Sequence, residues 1–195
     1  MKRILPKPQT LLMPLPAALV SCRVEGEKAN IITISWIGIV NSKPPMLSIS
    51  VAPQRYSHRI IKEAGEFVVN LTSEANQKAA DFCGTKSGRD HDKFEALGLT
   101  PLEGKVVKAP IIKECPINLE CQVRHSYVLG SHEMFVSEIV ATHVDEELLN
   151  RDGGFDIDRM KPLAYCPVAR EYRGGLSVVL GHYGRSERKK KPGDA

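Results

Sequence analysis

Seven short runs rich in β-branched residues, each closed by Gly, Pro or a polar turn, limit what this chain can fold into. They are Ala17–Val24, Asn30–Ile37, Met46–Val51, Phe67–Leu71, Ile117–Arg124, Met134–Val144 and Leu176–Leu180. Runs of this length and composition read as strands. Ile117–Arg124 alternates, with Leu119, Cys121 and Val123 on one face and Glu120, Gln122 and Arg124 on the other, which is the pattern of a half-buried strand. His125 continues the apolar face and reads there as a core residue.

Helical patterning is sparse. Tyr56–Ala64 and Glu74–Phe82 are short and amphipathic; Thr72 and Ser73 cap the second, and Gly84 falls just past its end. Asp90–Leu97 has room for two turns, and Asp145–Lys161 is acidic, contains glycine and reads as a long loop. Many strands with a few short helices predict a mainly β fold, an antiparallel barrel closed or nearly so, with helical excursions.

At 195 residues the chain is long enough for one domain with a sizeable core. The net charge is +4, but four of the basic side chains lie in the last ten residues, SERKKKPGDA, which read as a flexible tail. The remainder is close to neutral, which argues against a nucleic-acid-binding protein. The five cysteines, Cys22, Cys83, Cys115, Cys121 and Cys166, are odd in number and contain no CxxC, so a reducing, cytoplasmic setting is expected. The start, MKRILPKPQTLLMPLPAALVSC, mimics a lipoprotein signal, but Pro6, Pro8, Pro14 and Pro16 interrupt it. No run is long enough to span a membrane as a helix. The expected layout is a lead-in over 1–12, one domain over 13–184 and a basic tail over 185–195.

Three segments can carry chemistry. In the first, Thr33, Ser35 and Trp36, the chain's one tryptophan, stand at a strand end, followed by a rigid turn at Asn41–Pro45. Arg55 and Ser57 then open a helix, where free N–H groups, a hydroxyl and a forked cation suit a phosphate; a capped, solvated turn is the plainer alternative. The second is DFCGTKSGRDHDKF, Asp81 to Phe94. It has neither the ligand spacing of a zinc site nor the pattern of a Walker loop. What remains is a Gly-Ser-basic loop, Gly84 to Arg89, able to turn backbone N–H groups toward an anion or a polar ring, or else a simple helix C-cap. The third is HSYVLGSHEMFVSEIV, in which His132 opens a strand after a Gly-Ser turn. Cys121, His125 and His132 do not have convincing zinc spacing, and no metal site is expected. DGGFDID, Asp152 to Asp158, lacks the spacing of a calcium loop.

NIITISW, PPMLSISVAPQRYSHRIIKEAGEFVVNL, CGTKSGRDHDKFEALGL and GSHEMFVSEIV, in this order from about Pro14 to Gly181, resemble the flavin reductase-like family of FMN-binding split-barrel proteins, and within it the flavoredoxin-type group. The resemblance implies a six-stranded antiparallel split β-barrel and a homodimer with one FMN per subunit near the interface. It implies roles as well. Thr33, Ser35, Trp36 and Ile37 would line the isoalloxazine edge, and Ser50 and Val51 would follow the ribityl chain. Arg55 and Ser57 would hold the phosphate. Cys83, Gly84, Ser87 and Gly88, with Lys93 nearby, would close over the flavin.

Many NAD(P)H:flavin reductases of this family carry Gly-Asp-His before the late strand, and its histidine helps place the nicotinamide. Here the triplet is Gly130-Ser131-His132: the histidine is kept and the aspartate is not. Two oxidoreductase readings stay open. One is an NAD(P)H:flavin (or ferric) reductase with NAD(P)H as a transient hydride donor and His132 at its edge. The other is a flavoredoxin-type electron carrier served by a redox protein partner. A non-catalytic FMN sensor or flavin store is the alternative from another class.

Overall fold

The computed structural model describes residues 2–175, 178–181 and 183. Its main sheet contains seven strands: β1 (Ala18–Cys22), β2 (Asn30–Ile34), β3 (Ile37–Ser42), β4 (Pro45–Val51), β5 (Glu66–Leu71), β6 (Ile117–Val128) and β7 (Glu133–Val144). All neighbours are antiparallel, in the order β2-β1-β5-β6-β7-β4-β3. The strands at the two ends of that order, β2 and β3, are consecutive in the chain, with Ser35 and Trp36 alone between them.

This connection closes the sheet. Laid flat at ~4.8 Å per strand, seven strands span roughly 29 Å, while the three Cα steps from Ile34 to Ile37 reach at most ~11 Å. The sheet therefore curls until its edges meet. The backbone N–H of Ser50 on β4 donates to the carbonyl of Trp36 at 2.9 Å, which carries the β3–β4 ladder back to the link. Counted as one strand bent at Ser35-Trp36, β2 and β3 make the barrel six-stranded and antiparallel, as expected.

Alternation fills the interior. Ala18, Val20, Ile32, Ile34, Leu47, Ile49, Phe67, Cys121 and Phe135 point inward, and Leu119 and Val123 pack against them. Helix α1 (Tyr56–Ala64) contributes Ile60 and Ile61 to the same core. Gly65, with φ +67°, ends α1 in the left-handed conformation that glycine adopts without strain. Outside the barrel, α2 (Gln77–Thr85) and α3 (Lys93–Leu97) lie over Leu19 and Ile31, with Cys83 and Phe94 in the contact.

Several expectations are corrected. Asn30–Ile37 is broken at Ser35. Ile37–Ser42 is a strand that the pattern did not signal, because β3 is an edge whose residues from Gly38 onward are exposed, so burial imposed no alternation. Gly84 lies in the last turn of α2, not beyond it. The stretch Asp145–Lys161 holds a helical turn at Ile157–Met160, capped by Asp156. His125 is exposed, near Tyr127, and not in the core. The expected strand Leu176–Leu180 begins on residues outside the described set, and Val178–Leu180 have no regular structure. The 185–195 tail also lies outside it.

Glu120 is the most informative departure. The alternation puts it on the polar face of β6, yet its exposure is 0%. The segment after Gly104 folds over it, and the N–H groups of Lys105, Val106 and Val107 each donate to its carboxylate at 2.7 Å. His143 Nε2 lies 2.5 Å away. A Cβ on Gly104 would stand 2.7 Å from the Val107 carbonyl oxygen, so the approach requires glycine. Burial pulls the Glu120 pKa up, but the His143 and backbone hydrogen bonds outweigh it and hold the pKa at about 2. A folded-state pKa below the unfolded value stabilises the fold above pH ~4.5 and stops doing so as pH falls toward 2. Glu120→Gln should therefore cost roughly 3 kcal/mol at pH 7 by urea unfolding. The wild-type and variant stabilities should converge between about pH 4.5 and 2; parallel curves would contradict this role.

Candidate functional site

The closure is incomplete. Trp36 is hydrogen-bonded to Ser50 of β4, whereas Asn30 and Ile32 of β2 and Arg55, beyond β4, line a cavity between them; this space forms a wedge. Lys93 Nζ donates to the Ile31 carbonyl at 2.7 Å, so the polar groups of Ile31 face away from β1. Backbone groups alternate sides along a strand, so the N–H and C=O of Thr33 lie on the same unpaired edge. From Asn30 to Ser35 this edge runs roughly 17 Å at ~3.3 Å per residue.

The wide end is a cavity of about 220 Å³. It brings together Arg55, Ser57, Cys83, Ser87, Gly88 and Lys93, all named from the sequence as candidates. Arg55 is the N-cap of α1, with extended backbone and no side-chain cap bond, so its guanidinium is not engaged in capping. The Ser57 hydroxyl is buried and accepts from Asn30 Nδ2 at 2.7 Å. Asn30 depends on Gly88: a Cβ there would stand 2.1 Å from Asn30 Oδ1. Gly88 thus acts through the side chain it lacks.

Lys93 is 3% exposed and donates to the carbonyls of Ile31 and, at 3.1 Å, Cys83. Burial pushes its pKa down, and nearby Arg55 adds to that effect. Lys86 and Arg89 also line it, so four cations face the cavity and no carboxylate does. None of the four forms an ion pair among the described residues. Unbalanced positive charge around a buried hydroxyl fits an anion with several acceptor oxygens.

The narrow end is a second cavity, of about 290 Å³, lined by Thr33, Ser35 and Gly84 together with Asp81, Arg170 and Tyr172. The Thr33 hydroxyl donates to the Ala80 carbonyl at 2.5 Å and packs on Gly84, so only its backbone is available to a ligand. Val51 points into the barrel core, which leaves its backbone alone to face the wedge. Trp36 is 44% exposed, and its ring lies parallel to that of His132, 8° between planes and 6.3 Å between centroids. The Ser131 hydroxyl holds His132 Nδ1 at 2.9 Å. Next in the chain, Glu133 is buried and tied to α1 by His58 at 2.7 Å and Lys62 at 3.1 Å, which fixes the His132 strand relative to the Arg55 helix.

Expectation and structure differ over the Gly84–Arg89 segment. Gly84 and Thr85 belong to α2, and Lys86 N–H donates to Phe82 at 2.8 Å, so those amides are spent within the helix. The segment offers the cavity side chains, chiefly Lys86, Ser87 and Arg89. Asn30, Asp81, Arg170 and Tyr172 were not foreseen. Asn30 carried a signal, an amide opening an apolar strand. Arg170 and Tyr172 carried none, because a small sheet of Leu15–Pro16, Ala164–Cys166 and Glu171–Arg173 brings them there.

Comparison with known proteins agrees with this architecture. Residues 10–174 match the flavin reductase like domain. The chain is 35% identical to the flavoredoxin of Desulfovibrio vulgaris (Miyazaki F), with a TM-score of 0.87 over 95% of this chain and 99% of that one. A flavoredoxin from Methanosarcina acetivorans is 30% identical, with a TM-score of 0.85 over 96% and 98%. A protein of Archaeoglobus fulgidus is 40% identical over 147 residues, 75% of this chain and 81% of its own. The chain belongs to the flavin reductase-like family.

The cationic cavity predicts a direct response. Inorganic phosphate at ten times its Kd should stabilise the ligand-free protein by about 1.4 kcal/mol, seen as a raised Tm, beyond what sodium chloride gives at equal ionic strength. Arg55→Ala should lose most of that gain; an equal gain in the variant would remove Arg55 from the anion site.

Proposed function

We propose that this protein is an FMN-binding oxidoreductase, either an NAD(P)H:flavin (or ferric) reductase or an electron-transfer protein of flavoredoxin type. The observation that carries the proposal is the charge of the wedge: four cations with no ion pair and no carboxylate around the buried Ser57 hydroxyl, beside the Asn30 end of β2. The flavoredoxins similar to this chain support the choice of a flavin.

The residues present fit FMN. Arg55, Ser57 and Lys93, with Ser87 and Arg89, would hold the phosphate, Asn30 orienting the Ser57 hydroxyl. The free edge of β2 would accompany the ribityl chain, beside Ser50 and the backbone of Val51. Thr33 and Ser35 would meet the ring through backbone N–H and C=O groups, with Trp36 and Ile37 beyond them and Cys83 and Gly84 opposite. When bound, FMN supplies the hydride and electron chemistry. The protein's part is to bind it, align it and stabilise negative charge on the reduced ring by hydrogen-bond donors. His132, held parallel to Trp36, is the side chain placed to meet a nicotinamide.

The proposal includes a homodimer. Ile39 and Val40 on β3, and Tyr127, Val128 and Leu129 at the end of β6, are exposed, and burying such residues against a second copy would cover apolar surface near Trp36. A redox protein partner belongs to the carrier form of the reading.

An absorption spectrum of the purified protein, followed by anaerobic NADH and then NADPH, separates the two forms. A yellow protein bleached within seconds is a nicotinamide-dependent reductase; one that ignores both nicotinamides is a carrier. A protein that takes up no flavin contradicts the proposal. Arg55→Ala should weaken FMN by roughly 1.5–3 kcal/mol, measured by fluorescence titration, and an unchanged Kd would refute its role. His132→Ala should leave FMN affinity intact and slow nicotinamide-driven reduction in stopped flow. Loss of FMN from that variant would contradict the assignment.

A further inference from the structure

Among the described residues Lys93 is the only buried lysine, and it lines the cationic cavity. Its partners differ from those of surface lysines. Lys28 and Lys108 each meet a carboxylate, of Asp92 at 3.1 Å and of Glu25 at 2.5 Å, and that hydrogen bond holds the ammonium pKa above its ordinary value. Lys93 instead donates to two main-chain carbonyls, of Ile31 at 2.7 Å and of Cys83 at 3.1 Å. A lysine nitrogen has four tetrahedral positions. The side chain takes one and the two donated N–H groups take two more, so one remains. It carries either the third proton of an ammonium or the lone pair of an amine. Burial, with Arg55 nearby, shifts the balance toward the amine. Cys83 and Cys22 would oppose this as thiolates, but burial pushes their pKa values up to about 11 and about 12, so near neutral pH they carry no charge.

Desolvation beside a second cation is how proteins make a lysine nucleophilic. The rest of the cavity selects what it attacks. Arg55, Lys86 and Arg89 supply positive charge, and Ser57 and Ser87 supply hydroxyls, so a reagent bearing a phosphate is drawn in and held.

We propose that Lys93 is a covalent capture site for small aldehydes that carry a phosphate ester. The Lys93 nitrogen attacks the aldehyde carbon, a C=N bond forms, and the carbonyl oxygen leaves as water with two of the nitrogen's hydrogens. From ammonium to protonated imine one positive charge is kept, and nothing is oxidised or reduced. The protonated imine retains one N–H for the Ile31 carbonyl; the longer bond, to Cys83, is given up. The captured phosphate takes the cations that a flavin phosphate would need, so aldehyde and flavin exclude each other. That exclusion rests on the proposed function; the capture itself does not.

Pyridoxal phosphate and pyridoxal, which differ by the phosphate alone, are matched probes. Each is added to the flavin-free full chain, the imine is trapped with borohydride, and peptide mass spectrometry measures the adduct at every lysine. Pyridoxal phosphate should label Lys93 at least tenfold faster than any other lysine. With pyridoxal, Lys93 should be labelled no faster than the surface lysines. Saturating FMN should slow the labelling of Lys93 by pyridoxal phosphate at least tenfold. No adduct at Lys93, or the same preference for Lys93 with both probes, would overturn the proposal. So would a lead taken by Lys86, which is exposed on the same cavity. The cavity would then hold the anion, with Lys93 as a hydrogen-bond donor alone. Phosphate-dependent labelling of Lys93 that bound FMN leaves unchanged, or that occurs in a protein binding no FMN, would sink the flavin placement and leave the capture site standing.

Discussion

Ser35 and Trp36 carry the chain from one edge of the main sheet to the other, and two residues cannot cross a flat sheet of seven strands. Barrel closure follows from that short link, and so does the site. Because β2 pairs with β1 on one side and β3 with β4 on the other, the sheet cannot zip fully where the two edges diverge. The barrel is left with an open backbone edge on β2, pinned at Trp36 and widening toward Asn30. Such an edge usually invites pairing with another strand. Here α2, α3 and the Lys93 ammonium stand over it, and the remaining polar groups are available to a ligand.

The wide end carries four cations and no carboxylate, a charge pattern that suits an anionic ligand. A buried lysine held by two carbonyls, with arginine nearby and no carboxylate, is poor design for stability alone. The fold compensates elsewhere with well-satisfied buried charge. Glu120 has three backbone donors and His143. Glu133 has His58 and Lys62. The contrast between carboxylates with full partners and four cations with no counter-charge separates the parts that hold the barrel from a part suited to an anion.

Much of this was legible in the sequence, for identifiable reasons. The inward set on β6, Leu119, Cys121 and Val123, followed from alternation, because that strand has a packed face to alternate against. Helix α1 was readable from end to end, because it is amphipathic and closed by Gly65. That Arg55 and Ser57 lie together was legible because local helix geometry puts them on one cavity wall. β3 was hidden because an exposed edge leaves no burial pattern. The burial of Glu120 was hidden because the covering segment is remote in sequence and uses backbone groups. Asp81, Arg170 and Tyr172 meet Thr33 only through tertiary packing, which no local pattern records. Ser87 and Gly88 line the cavity with Arg55 and Ser57, but through a side chain and a missing Cβ and not through the backbone amides that the sequence suggested.

The account turns on the phosphate being what the wedge recognises. Titrating the flavin-free protein with FMN and with riboflavin, which differ by that group alone, tests it most directly. With charge-assisted bonds from two or more of the four cations, FMN should bind at least ~100-fold more tightly than riboflavin at moderate salt. Equal affinities would mean that the cationic cavity plays no part in holding the flavin, and the placement of the ligand along β2 would have to be abandoned.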